Sequence, residues 1–381
     1  MKILNIFTIS STAQSFFDGQ FKHLSDAGND IWVVSSSEEP IEFVKANSLT
    51  YRKFDIRRSI SPLADLKTIA RLVSFLRREK FDIVVGHTPK GAMVAMLAAK
   101  LAGIKTRVYY RHGLIYTTAK GLKRKIFKTV EQLTAACATN IINVSPSLSK
   151  LAVKDHLNPD KKQTVFGSGT CGGIDTVNVF NPDLISDSEK SELKHSLNIY
   201  KTDFVIGFCG RICKEKGIRE LVDAFKLFCQ SHPSSKLLLV GPFDTRDILS
   251  EEYQKEIENN PNIIFTGRVE KSKLPLYYSL MDVFVLPSYR EGFGMCVIEA
   301  SAMQIPILVS RSHGCIDSII EGVTGEYIDI SKESIRNGLE NIITNDRRNE
   351  YGINGHNWVT NNFDHTVLWP KIATFYASFN Q

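Results

Sequence analysis

Apolar residues along this chain fall into two alternating patterns: short unbroken runs, and longer stretches in which they recur every three or four positions. The runs "MKILNIFTI", "NDIWVVSS", "FDIVVGH", "KTRVYYRHG" and "NIINVS" are rich in β-branched and aromatic side chains, as strands buried on both faces of a parallel sheet are. Between them the spacing predicts helices. In "PLADLKTIARLVSFLRRE", Leu63, Leu66, Ile69, Val73 and Leu76 form one stripe, and Pro62 suits a helix start. The pattern restarts after about residue 200 with "DFVIGFCG", "SKLLLVG", "NIIFTG", "DVFVLPS" and "IPILVS". Two successive βα arrays predict two doubly wound, Rossmann-like domains, 1–180 and 181–363, with the polar stretch 176–200 around Asn181 and Pro182 as the link.

Composition narrows the class without changing the fold. The 381 residues are 43% hydrophobic and 23% charged, which excludes disordered and fibrous classes. No apolar run approaches the roughly 20 residues that span a bilayer, and the start lacks the parts of a secretory signal. Seven scattered cysteines without a Cys-x-x-Cys pair read as small hydrophobes in a reducing compartment. Charge is uneven: residues 1–180 carry a balance of +12 and the remainder −6, so the two halves face different partners.

Doubly wound folds bind ligands at the carboxyl ends of their strands, so the chemistry is sought there. "GRICKEKG" follows one such strand; Arg211 and Lys216 in a glycine-flanked loop feeding a helix suit a diphosphate, although a solvated basic loop has the same composition. "EGFGMCVIEA" follows another. Gly292 and Gly294 permit a tight turn, the following helix points its N-terminus at the same place, and Glu291 and Glu299 can accept hydrogen bonds from sugar and ribose hydroxyls. An acid/base pair or an exposed acidic helix remains open from spacing alone.

"GRICKEKGIRELVDAF" followed by "PSYREGFGMCVIEASAMQIPIL" resembles the C-terminal domain of the family 4 retaining glycosyltransferases, whose signature is Glu, seven residues, Glu. The resemblance covers essentially the whole chain. It implies the GT-B fold: two Rossmann-like domains facing across a cleft, the first binding the acceptor and the second the nucleotide-sugar donor, with a C-terminal helix over 364–381 packing back on the first. It implies a nucleotide-sugar donor, a UDP-sugar, with Gly292, Phe293, Gly294, Met295, Glu299 and Val269 among the binding residues beside Arg211 and Lys216. It implies no cofactor and no metal, in keeping with the lack of an Asp-x-Asp pair. His112, followed by glycine after "RVYYR", matches the family's donor-facing His-Gly, with a role in positioning the sugar and stabilising charge at the reacting centre. His87 in "VVGHTPKG" is an acceptor-side candidate. The first loop, "TISSTAQSFFDGQF", departs from the family by carrying its glycine late, and "GSGTCGGID" is either a cleft element or a flexible link.

The basic half gains a meaning from the same resemblance. In "GLKRKIFKTVEQLTAAC" the residues Leu122, Ile126, Val130, Leu133 and Cys137 recur at helical spacing, with Lys123, Arg124, Lys125 and Lys128 at one end. A basic amphipathic helix suits an anionic membrane surface, where a polyprenyl-diphosphate-linked sugar would be the acceptor; a solvated face is the alternative. Nucleic acid is not expected, because aromatics are not interleaved with the cations. The expected place is the cytoplasm, peripheral on the inner face of the membrane. A nucleotide-sugar epimerase of the same fold and a non-catalytic nucleotide-sugar-binding protein are the competing functions.

Overall fold

The computed structural model describes residues 1–59, 61–344 and 347–380, and the chain forms two units, Met1–Gly173 with His365–Gln381, and Ile174–Asp364. The strands of the first are β1 (Lys2–Ile6), β2 (Asp30–Ser35), β3 (Thr50–Lys53), β4 (Ile83–His87), β5 (Thr106–Arg111), β6 (Asn140–Asn143) and β7 (Gln163–Thr164), in the order β3-β2-β1-β4-β5-β6-β7. Every pairing is parallel. The second unit carries β8 (Phe204–Cys209), β9 (Ser235–Val240), β10 (Ile263–Phe265), β11 (Val283–Leu286), β12 (Ile307–Ser310) and β13 (Gly325–Ile328), ordered β10-β9-β8-β11-β12-β13 and again parallel.

The central strands are the apolar runs read from the sequence, and their burial explains why: β4, β8, β11 and β12 are buried along their whole length. β3, β7 and β13 escape such a reading. All three are edge strands, covered less than the centre, so no apolar run marks them.

In each sheet the strand order reverses once, between β1 and β4 and between β8 and β11. At such a switch point the loops leave in opposite directions and open a crevice at the carboxyl ends. The residues that follow these four strands are therefore the ones the fold puts in a position to bind.

The division between units falls at Gly173, a few residues before the 180 read from the two βα arrays. Ile174 donates its N–H to Phe363, and Thr176 donates both N–H and hydroxyl to Asp364 (2.9 and 2.7 Å), which ties this strip into the second unit. Nor is 176–200 an open link. Ser186 and Glu189 form a capping box that starts a helix over Asp187–Ser196. The helix His365–Ala377 belongs to the first unit, where the Trp369 indole donates to Gly172 (2.7 Å); Pro370 lies inside it.

Two helix faces are turned from the sequence reading. On Pro62–Glu79 the buried arc runs through Asp65, Thr68, Ile69, Leu72, Phe75 and Leu76, while Leu63 is 85% exposed and Leu66 also lies outside it. On Gly121–Cys137 the buried residues are Glu131, Thr134, Ala135 and Cys137, and Leu122, Ile126 and Leu133 face solvent. The reason is a buried cation. Arg111 ends β5 with no exposed surface and draws Glu131 inward (2.8 Å), which fixes the rotation of the helix.

Candidate active site

In the second unit the loop after β8 and the loop after β11 are laced together. Glu215 is the knot: its backbone carbonyl accepts from Tyr289 N–H (2.9 Å) and its carboxylate from Arg290 Nε (2.6 Å). Gly217 makes the approach possible. It has φ +68°, and a Cβ there would stand 2.1 Å from the carbonyl oxygen of Pro287, so glycine is required both for conformation and for space.

The lacing brings Lys216 and Glu291 into an ion pair across the crevice, with only 15% and 12% of their side chains exposed. Burial lowers the Lys216 pKa, but the adjacent Glu291 carboxylate more than offsets this, and the ammonium stays charged. Glu291 thus stands opposite a charged lysine in the crevice of the second sheet.

Arg211 is half exposed and pairs with Asp244, which follows β9. Burial would raise the Asp244 pKa; the N–H groups of Arg246 and Asp247 (2.7 and 3.0 Å) and the Arg211 guanidinium outweigh it and bring it to about 2. The carboxylate therefore orients the arginine. Asp244 is absent from the sequence reading although it sits just beyond a strand end, the signal that flagged its neighbours.

Glu299 lies in the second turn of the helix Met295–Ala302 and accepts from the Tyr278 hydroxyl (2.8 Å). Its burial pushes its pKa up, against the Tyr278 hydrogen bond and Lys271. Gly294 caps this helix and Met295 opens it. Phe293 is a different matter: its side chain is buried against Phe363, ring centroids 5.2 Å apart, so it anchors the turn and has only backbone to offer a ligand. Val269 is partly buried in the loop after β10. Glu291 and Glu299 thus answer to different partners, Lys216 and Tyr278.

In the first unit His112 directly follows β5, and its ring stacks on Tyr110 with centroids 5.0 Å apart. Its nitrogens contact His87 Nδ1 (3.1 Å) and the Cys171 thiol (3.5 Å). Burial lowers its pKa to about 3, so the ring is neutral at ordinary pH. The expected positioning role is compatible with this; stabilising charge as an imidazolium is not, because the desolvated ring does not hold the proton. His87, fully buried between Phe7 and Tyr110, touches no solvent and is not an acceptor-facing group. Arg111 supports this strand end from behind, donating to Glu131, Asn143 and Asn158 at 2.8–2.9 Å. Cys171 comes from the glycine-rich "GSGTCGGID"; nothing in its local sequence marks it as a partner of His112.

The family profile "Glycosyl transferases group 1" matches residues 189–358, and "Glycosyl transferase 4-like domain" matches 13–169. The chain is 30% identical to the capsular polysaccharide biosynthesis glycosyltransferase CapM of Staphylococcus aureus, over 99% of this chain and 97% of that protein. It is 27% identical to an Escherichia coli UDP-Gal:alpha-D-GlcNAc-diphosphoundecaprenol alpha-1,3-galactosyltransferase, over 84% and 81% of the two chains. Anabaena HepE in complex with UDP-glucose shares the fold, with a TM-score of 0.81 at 19% identity over 99% of this chain and all of that one. These relatives favour a transferase over an epimerase or a non-catalytic binder.

Proposed function

The chain belongs to the family 4 glycosyltransferases of the GT-B fold, and from that premise we propose that it moves a sugar from a UDP-sugar to a lipid-linked saccharide in cell-surface polysaccharide assembly. The observation that carries this reading is the Lys216–Glu291 pair at the switch crevice of the second sheet. The donor diphosphate takes over Lys216 and the arginine oriented by Asp244, and a sugar hydroxyl donates to Glu291. Glu299 accepts from the ribose, and the backbone from Gly292 to Met295 and at Val269 frames the nucleotide.

Transfer breaks the bond between the anomeric carbon and the diphosphate oxygen, whose electron pair stays with the leaving group. Lys216 and Arg211 stabilise that growing charge because they are already in place and need no reorganisation. The acceptor hydroxyl attacks the same face of an oxocarbenium-like sugar, and its proton passes to the departing phosphate. This course retains anomeric configuration and uses neither a metal nor an enzyme nucleophile. His112 positions the sugar as a neutral ring.

The acceptor side is assigned to the first domain at the inner face of the cytoplasmic membrane. Leu122 and Ile126 are exposed beside the equally exposed Lys123, Arg124 and Lys125, a combination that suits anionic lipid and a polyprenyl diphosphate. Among the described residues no helix is long and apolar enough to cross a membrane.

Thermal unfolding with UDP, UDP-glucose, UDP-galactose and UDP-N-acetylglucosamine tests the donor assignment. A raised transition with at least one is expected; no shift with any of them overturns it.

A further inference from the structure

Three neighbouring strands of the first sheet end in a row of hydrogen-bonding side chains. Asn5 of β1, His87 at the end of β4 and His112 just beyond β5 are linked by two 3.1 Å contacts: Asn5 Oδ1 to His87 Nε2, and His87 Nδ1 to His112 Nε2. Asn5 is 2% exposed and His87 is fully buried.

The direction of this row follows from its first member. The Asn5 amide nitrogen faces the carbonyl oxygen of Trp32 at 3.5 Å, whereas a flipped amide would set two acceptors against each other. Asn5 therefore presents its oxygen to His87, which must hold a proton on Nε2. His87 is stacked 4.1 Å from Phe7 and 5.2 Å from Tyr110, no carboxylate pairs with it among the described residues, and desolvation keeps it neutral. Its Nδ1 is then an acceptor, which requires the proton of His112 to lie on Nε2. The Nδ1 of His112 is left as an acceptor, met by the thiol of Cys171.

We propose that Asn5 and His87 are positioning residues that fix His112 as its neutral Nε2–H tautomer, so that Nδ1 accepts a hydrogen bond from a hydroxyl of the transferred sugar in place of the Cys171 thiol. The tautomer stands on the hydrogen-bond geometry and on the burial that keeps His87 neutral; its catalytic use rests on the transferase reading above.

The test is ring nitrogen NMR on the full chain labelled with ¹⁵N-histidine, assigned with His87→Asn and His112→Asn. Both rings are expected to carry the proton on Nε2, and a proton on Nδ1 of His112 overturns the proposal without any variant having to fold. In His87→Leu the bias should vanish and His112 should show both tautomers, while the side-chain oxygen in His87→Asn should restore the Nε2–H form. An unchanged tautomer in His87→Leu also overturns it. With UDP-glucose and UDP-galactose as donors, His87→Leu should lower kcat about tenfold, the equivalent of one lost hydrogen bond, with KM held within about twofold. Recovery in His87→Asn is expected. If the tautomer shifts as predicted while kcat does not, the relay stands as structure and the sugar contact of His112 is refuted.

Discussion

At the residue scale the site is a set of charges already answered by partners. Lys216 is held by Glu291 and Arg211 by Asp244, so each cation is aimed before a ligand arrives. Lys216→Met should cost on the order of 10²-fold in kcat, the size expected for one preorganised stabilising group, and steady-state kinetics with a UDP-sugar would reveal it. Asp244→Asn should lower kcat in the same direction but less, since the arginine is disordered but still present. Acid acts elsewhere. The folded pKa of His112 lies near 3, below the roughly 6.5 of an unfolded histidine, so the unfolded chain binds more protons between those values. Stability of the first unit should be intact above about pH 6.5 and fall progressively as pH drops towards about 3, in a series of urea melts. His112→Asn should reduce that slope and leave the share of His87, whose pKa burial also lowers. Tyr110, His87 and Cys171 face the ring and supply no compensating negative charge at these pH values. The candidate residues Arg211, Lys216, Glu291 and Glu299 are legible as strand-end residues. Their partners are not, because Asp244 and Glu291 lie 33 and 75 positions from the cations they hold.

At the element scale, helical periodicity identifies helices better than it identifies their buried faces. The Gly121–Cys137 helix has an apolar stripe in sequence, yet the buried Arg111–Glu131 pair turns that stripe outward. The exposed stripe then predicts its own behaviour. Leu122→Ser with Ile126→Ser should change folding stability by less than about 0.5 kcal/mol, as surface substitutions do, while reducing binding to phosphatidylglycerol vesicles in a sedimentation assay. Unchanged vesicle binding at low salt would refute the docking face. The opposite outcome is expected where a cap is involved. Ser186→Ala removes one half of a reciprocal capping box and should cost about 1 kcal/mol in the second unit.

At the scale of the whole molecule, a chain of two compact units, each with its own parallel sheet, is expected to unfold in more than one transition. UDP should raise the transition of the second unit selectively, by about 2.7 kcal/mol at a hundredfold excess over Kd, and calorimetry separates the two. The alternation of apolar runs with helical spacings determined the two parallel sheets and their central strands, because a strand buried on both faces must be apolar throughout. The motifs at the strand ends determined the family, because chemistry at a switch point needs those residue types there. What only the tertiary structure decided is which side chains meet: the pairing of Lys216 with Glu291, the file of Asn5, His87 and His112, and the outward turn of the basic helix. Each depends on packing between segments distant in the chain, where a buried charge or donor must find a partner and local spacing carries no record of which one it finds.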